Sequence, residues 1–485
     1  MVMRRDYSQG ILRSVFLPTV GTIFLYWTSE NTLTALQVFC AWLLLCIPWH
    51  SFCSWREKRT KRLPLFSMLA FIYWLYFVLP LFWGDLVSIG IEARPLEQNS
   101  VTATMIMAVL GVAMIGLGMK SGLGRLLIPK TLPDISLRPS GRSYIRILLA
   151  VGVISGFMES APYAFGEGGR QVLLILTALV PSVAFAILFR LYLRGESRRV
   201  DRVLIVFYLL TRVIIGLSSG WLGNLVSVAI ICVAIYVTEV RKLPRWVIAV
   251  AILYIAFFQV GKSTMRSRYW YGEEEGGRLE RVAFWFDASV ARWQQALNDS
   301  SGKEIKSLGY EVLSRTSLLP QAANVLELTP AQVPYQYGRL YSFLPITLIP
   351  RFVWPEKPSV NEANQFYQIN YNLTLEENLK NVSISVGYLT ESYISFGWGG
   401  VVVIMFLFGI FYDFIESCFL SASSGLLLQS LGVALLFPLL GIESQLAVYV
   451  GGLIQQVLLT LLVFSPIFTR IRESPASAVL SPRPA

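Results

Sequence analysis

The sequence predicts an all-α polytopic integral membrane protein, and three observations carry that prediction. Hydrophobic residues make up 54% of the 485, and charged residues only 15%, well below the quarter typical of soluble domains. Apolar runs of about 20 residues, the length that crosses a bilayer as a helix, recur along the chain. The charges fall in short clusters between those runs. The formal net charge of +11 therefore reads as loop charge that sets orientation. It is not a nucleic-acid signal, and no nucleic-acid partner is expected.

The runs lie at about 11–28, 31–50, 63–83, 101–119, 143–158, 171–193, 203–217, 221–240, 246–261, 396–415, 425–441 and 446–468. They predict about 12 transmembrane helices. The first has no small-residue cleavage site behind it and is read as retained. The seventh and eighth are joined by only Ser218, Ser219 and Gly220, which fits either a tight hairpin or one broken helix. Arg4, Arg5 and Arg13 precede the first run. Arg56, Lys58, Arg59, Lys61 and Arg62 follow the second, and Lys120, Arg125, Lys130, Arg138 and Arg142 the fourth. Arg194, Arg198, Arg199 and Arg202 follow the sixth, Arg241, Lys242 and Arg245 the eighth, and Arg470 and Arg472 the last. Every even-numbered exit but the tenth is basic, so these loops and both termini are expected in the cytoplasm.

The domain reading follows. Residues 1–261 hold spans one to nine, 262–395 one large outward loop, 396–470 spans ten to twelve, and 471–485 a cytoplasmic tail expected to be disordered. Up to residue 390 the loop carries thirteen Lys/Arg and thirteen Asp/Glu. A loop of this length in a compact protein is usually functional. Arg266 and Arg268 stand near its start. Within it, 279–297 repeats apolar groups at Leu279, Val282, Phe286, Val290 and Trp293, which is helical spacing. Arg281 and Arg292 share one face of that helix, Glu280 and Asp287 another. The helix is expected to lie across the outer mouth with its apolar stripe in the membrane interface. Its charges fit a solvated surface equally well, and Glu280 is read that way.

The stretch from Gly338 to Glu362 sets Arg339, Arg351 and Lys357 among Tyr341, Phe343, Phe352 and Trp354. Pro345, Pro350, Pro355 and Pro358 run through it, which forbids a long regular helix. Cations beside aromatic faces suit a ligand anionic at one end and sugar-like or apolar at the other. They also suit an anchor at lipid headgroups.

Charges that a membrane would exclude mark further candidates. Arg212 lies inside the seventh run, Glu391 just before the tenth, and Glu443 with Gln445 at the outer end of the eleventh. An internal ion pair of Arg212 with Glu391 or Glu443 is the structural alternative. Asp413 is read as reaching the cytoplasmic interface. Several chemistries lack their residues. The one histidine, His50, lies at a cytoplasmic end, and no His/Cys cluster, Asp-x-Asp pair or phosphate-cradling Gly-x-x-x-x-Gly-Lys loop exists. Neither a metal nor another cofactor is expected. Glu273, Glu274 and Glu275 read as a solvated tip. Cys40, Cys46, Cys53, Cys232 and Cys418 all lie outside the long loop, so no disulfide staples it. No internal repeat is visible, which weakens a transporter reading.

The phrase GRLYSFLPITLIPRFVWPEKP, followed about thirty residues later by VGYLTESYISFGWGG, resembles the bacterial Wzy-type O-antigen or oligosaccharide repeat-unit polymerases. The matching positions are Gly338 and Tyr341, then Pro350, Arg351, Trp354, Pro355, Lys357 and Pro358, then Glu391, Tyr393, Phe396, Gly397 and Gly400. The resemblance covers about seventy residues. Some members have two large arginine-rich outer loops, whereas this chain has one, with balanced charge.

The resemblance implies an inner-membrane glycosyltransferase whose large loop is periplasmic. Its substrate would be an oligosaccharide on undecaprenyl pyrophosphate, and the growing chain would pass to a sugar hydroxyl of a fresh lipid-linked unit. A flippase and a chain-length regulator of the same pathway would be partners, alongside membrane lipid. Under this reading Arg212, Arg266, Arg268, Arg281, Arg292, Arg339, Tyr341, Arg351, Trp354, Lys357 and Tyr393 bind substrate. Glu391 is the leading base for the acceptor hydroxyl, kept ionised by a neighbour such as Arg339, with Asp287 and Glu443 as rivals. An O-antigen ligase is one alternative, although it is expected to use an outward histidine. A polysaccharide or lipid transporter is the other, although it would spread its charges through the whole bilayer.

Overall fold

The computed structural model describes residues 2–29, 31–58, 62–83, 95–156, 172–272, 274, 276–314, 317–349, 354, 356–358, 362–379, 384–421 and 423–473. The apolar runs read from the sequence are largely helical within those residues, but the eleventh is two short helices, Leu426–Ala434 and Leu436–Leu439. Among the described residues, seven helices are long and apolar enough to cross a membrane: Ala35–Lys58, Leu65–Trp83, Gln98–Ser121, Val172–Leu193, Gly223–Val240, Gly387–Phe419 and Leu446–Ile467. An eighth arises if Arg245–Gln259 and Lys262–Tyr269, bent by 54° at their junction, are counted together. The chain is therefore an α-helical membrane protein. The runs outside this set form helices that are shorter or carry more charge, such as Arg199–Ser218 with Arg199, Asp201, Arg202 and Arg212.

Packing follows the small residues. The Gly387–Phe419 helix lies along Gln98–Ser121 over most of its length. At the seam Gly118 faces Gly409, and a Cβ on either would strike the other's backbone. Without a hydrophobic drive between helices in lipid, such close backbone contact supplies the attraction. Arg199–Ser218 and Gly223–Val240 pack against each other across a turn at Gly220 with φ 65°. The seventh and eighth runs are thus a hairpin, not one broken helix.

The 262–395 segment has its own helices. Arg278–Asn298 spans the predicted amphipathic stretch, followed by Lys303–Ser314 and Leu319–Leu328. Its orientation differs from the expected stripe. Trp285, Ser289 and Ala296 form the buried face, while Leu279 and Phe286 stay exposed. Trp285 packs on Phe258 and donates its Nε1–H to the Phe258 carbonyl at 2.9 Å. The indole finds a partner inside the protein, so this face turns inward.

One feature was not expected. Thr131–Ile135 pairs antiparallel with Phe468–Glu473. This two-stranded ribbon is the one β-structure among the described residues. It draws the segment after the fourth run and the segment after the last run to the same side.

Candidate functional site

The Gly387–Phe419 helix is broken. Phe396 (φ −144°, ψ 18°) and Gly397 (φ 63°, ψ −149°) leave helical geometry. The Gly397 conformation is one that essentially only glycine adopts. The break frees the carbonyls of Ile394 and Ser395, which accept hydrogen bonds from the backbone N–H groups of Gln336 and Tyr337, both at 2.9 Å. Freed backbone groups at membrane depth are tolerated only when protein satisfies them in this way. The result is a short, wholly buried segment, 387–395, that carries Tyr388, Thr390, Glu391, Ser392, Tyr393 and Ser395.

Glu391 is central to it. The sequence suggests a half-buried residue ahead of a span; instead it lies inside the helix with no solvent exposure. Its Oε2 accepts the backbone N–H of Leu446 at 2.7 Å. Leu446 opens the last helix, Leu446–Phe464, so the carboxylate meets the positive end of that helix dipole. Its Oε1 has no hydrogen bond of normal geometry. The hydroxyls of Tyr341 and Tyr367 and the Oγ of Ser395 are buried and likewise make no hydrogen bond of normal geometry, with Tyr341 and Ser395 facing each other. The Tyr367 hydroxyl faces the carboxylate but falls short of bonding geometry. Ser395 sits one turn along, on the same helical face. Burial, and then the nearby carboxylate, push the Tyr341 and Tyr367 hydroxyls up from their usual range. Both therefore stay protonated and able to donate. Arg339, expected to keep Glu391 ionised, lies exposed on the Arg339–Ser342 turn. No cation acts on Glu391 among the described residues.

The two motif segments meet here. Tyr341 lies against Phe396, ring centroids 6.3 Å apart. A Cβ on Gly338 would lie 3.2 Å from the Phe396 ring. Tyr393 is buried and donates to the Thr329 carbonyl at 3.4 Å. Past Tyr341, Phe343–Leu348 packs on the last helix, and Gln455 donates to the Thr347 carbonyl. Lys357 donates to the Ile346 and Ile349 carbonyls at 3.4 and 2.8 Å, so it caps the end of that short helix. Trp354 is 40% exposed. Arg351 lies outside the described residues.

The other candidates are dispersed. Arg212 makes neither expected ion pair. Its Nη2 donates to the Ala178 carbonyl at 3.1 Å, and its guanidinium lies 5.0 Å from the Tyr208 ring centroid. Ala178 belongs to a π-helical turn, Ile175–Leu179, which loosens the regular bonding and exposes a carbonyl. Arg266 stacks on Trp270 at 4.0 Å. Arg268 pairs with Glu274 at 2.6 Å, and Arg281 donates to the Gly276 carbonyl at 2.8 Å. Arg292 faces Glu311 at 3.5 Å and Glu304 at 4.0 Å. Asp287 is exposed on its helix. Glu443 is exposed too, and its carbonyl accepts from Ser385 beside the start of the broken helix. Glu280 caps its own helix through the Gly277 N–H, in keeping with a structural role. Asp413 does not reach solvent. It is buried and pairs with Arg125 at 3.3 Å.

Sequence reasoning missed Tyr367 and Ser395. Ser395 carries a signal in retrospect, four residues after Glu391 on one helical face. Tyr367 carries none, because only the tertiary fold brings the Glu362–Asn370 helix to the carboxylate. An open depression of about 560 Å³, lined by Gln295, Asn298, Asp299, Ser301, Lys303 and Glu304, includes none of the predicted site residues. A family profile described as Domain of unknown function (DUF8712) matches residues 100–440. No curated protein and no solved structure matches the chain.

Proposed function

The chain belongs to the family described as Domain of unknown function (DUF8712), and we propose that it is a membrane glycosyltransferase that polymerises undecaprenyl-pyrophosphate-linked oligosaccharide repeat units. One observation carries this reading. The Gly338–Tyr341 and Glu391–Gly400 segments, which together resemble the Wzy-type motifs, converge on one buried carboxylate ringed by hydroxyls. A carboxylate with one oxygen held and the other open is suited to take a proton from a sugar hydroxyl.

In the proposed reaction Glu391 Oε1 accepts the proton of the acceptor hydroxyl. The acceptor oxygen bonds to the anomeric carbon of the growing chain, and the bond from that carbon to the lipid pyrophosphate breaks. The pyrophosphate departs as an anion, stabilised by cations. Arg351 and Lys357 on the motif loop and Arg212 are the groups assigned to it. Tyr341, Tyr367 and Ser395 orient the acceptor. Because Glu391 is buried, the acceptor enters only when the 338–349 segment shifts on the last helix.

The proposed arrangement has twelve spans in the cytoplasmic membrane, both termini inside, and the 262–395 segment in the periplasm. The ribbon between 131–135 and 468–473 supports a shared side for the fourth exit and the C-terminal segment. A second reading takes Glu391 as a cap that fixes the last helix, which the Leu446 bond favours. Purified protein with a lipid-linked repeat unit separates the two. Glu391→Gln keeps an oxygen for Leu446 but cannot act as base, so turnover should fall by about two orders of magnitude or more with substrate binding retained. Turnover within a few-fold of wild type would leave the cap alone.

A further inference from the structure

On the side opposite to the Glu391 site, four inter-helix connections converge on a half-enclosed cavity of about 90 Å³. Its lining includes Arg190, Arg194, Thr238, Glu239, Ser421 and Gln429. Arg190 and Arg194 close the Val172–Leu193 helix, and Thr238 and Glu239 close Gly223–Val240. Ser421 and Gln429 lie just beyond the end of the broken helix. The basic clusters at Arg56 and Lys58, at Arg198, Arg199 and Arg202, and at Arg241, Lys242 and Arg245 end the same helices or begin their neighbours.

The charges in this cavity do not cancel. Glu239 is the one carboxylate of its lining, against two guanidinium groups. Arg190 Nη1 donates to Glu239 Oε1 at 2.6 Å and to the Thr238 hydroxyl at 3.2 Å. Arg194 donates to the same carboxylate at 3.0 and 2.9 Å. Both carboxylate oxygens are thus occupied, and Glu196, outside the lining, is the further carboxylate that acts on Arg194. Arg190 is only 2% exposed, and its Nε is buried with no acceptor. A buried guanidinium donor without an acceptor is costly unless something supplies one. A site of this size with a hydroxyl and two guanidinium groups matches a tetrahedral oxyanion, since arginine binds phosphate through paired N–H groups.

We propose that this cavity binds a phosphate group on the basic side of the membrane, with Arg190 and Arg194 as its cationic contacts and Ser421 as a hydroxyl contact. The volume admits one phosphate and leaves the rest of a headgroup outside. An anionic phospholipid of the adjoining leaflet and free inorganic phosphate present the same chemistry.

The test uses full-length protein in phosphatidylcholine nanodiscs. The readout is the shift in thermal midpoint on adding inorganic phosphate, with matched chloride as control, or on replacing a fifth of the lipid with phosphatidylglycerol. Wild type should be stabilised by at least one of the two. Stabilisation by the lipid alone assigns a headgroup; stabilisation by both assigns a site that free phosphate also enters. Arg194→Gln leaves Glu239 paired with Arg190, and should raise the ligand concentration needed for half the shift at least tenfold. Val433→Phe, which fills the cavity from its apolar wall and changes no charge, should abolish the shift. Where Val433→Phe does not fold, native mass spectrometry of wild type and Arg194→Gln takes its place. Wild type should retain a phosphatidylglycerol molecule that the variant loses. No shift in wild type, or equal shifts in wild type and variants, would mean that the cavity holds only water and would overturn the proposal.

Discussion

The carboxylates at the two ends of the molecule are treated in opposite ways. On the basic side Asp201 and Glu239 each have two arginines, and the buried Asp413 has one, Arg125. Asp201 has no exposure and pairs with Arg142 at 2.6 Å and Arg146 at 2.7 Å, and Glu239 pairs with Arg190 and Arg194. At the other end Glu391 is just as buried but is met by a backbone N–H and faced by the Tyr367 hydroxyl, with no cation acting on it among the described residues. The first arrangement neutralises charge and fixes helices. The second sets a carboxylate beside hydroxyls rather than cations. A buried ion pair is weak evidence for anything but structure, whereas a buried carboxylate without a cation calls for an explanation of its own.

The largest effect that would break this comparison is on stability. Asp201→Ala strands two guanidinium groups and should cost about 3–5 kcal/mol. Glu391→Gln keeps an acceptor for Leu446 and should cost under about 1.5 kcal/mol. Unfolding in detergent measures both, and equal losses would erase the distinction. The helix break comes next. Gly397→Ala forces a Cβ into a glycine-only conformation, 3.0 Å from the Tyr335 hydroxyl, and should cost about 1–3 kcal/mol. Hydrogen exchange at the Gln336 and Tyr337 amides should accelerate with it; unchanged protection would detach the break from the 336–337 segment.

The tyrosines sharpen the contrast. Tyr341→Phe and Tyr367→Phe remove buried hydroxyls that make no hydrogen bond of normal geometry, so stability should move by less than about 1 kcal/mol. Turnover should fall about tenfold in each, the worth of one hydrogen bond to a charged group. A large loss of stability with normal turnover would make them structural. The smallest effect is at the Asp299 turn. Asp299 accepts bonds from the Glu304 N–H and from Ser301, which hold its carboxyl down at about 2. A depressed carboxyl stabilises the fold above the ordinary aspartate range, and that contribution fades as pH falls through the lowered value. The difference in thermal midpoint between wild type and Asp299→Ala should therefore be constant near neutrality and vanish towards pH 2.

Much of this architecture is legible in the sequence, because length and hydropathy define apolar helices without reference to neighbours. Glu391 was legible for the same reason, as a charge where the apolar pattern leaves no place for one. The partners of the charges were not. Arg212 was read as a substrate contact, with a carboxylate pair as the structural alternative, but a π-turn at Ile175–Leu179 offers it the Ala178 carbonyl. Arg268 and Arg292, read as substrate contacts, find acidic partners within the same segment, as its even balance of charge allows. Asp413 was read as reaching solvent because its position near a helix end is visible, while Arg125 across the seam is not. The break at Phe396 and Gly397 escaped notice because hydropathy records how apolar a residue is, not which backbone angles it must adopt.

The ribbon between Thr131–Ile135 and Phe468–Glu473 sets an order of assembly. Its first strand leaves the ribosome early and has no mate until the second has been translated. During that interval its edge is open to the wrong neighbour. The clasp can close only after the helices between its strands have been inserted, so it acts as a late latch on biogenesis. A chain stopped before residue 468 would carry every described membrane helix and still lack the fastening that ties the fourth exit to the last.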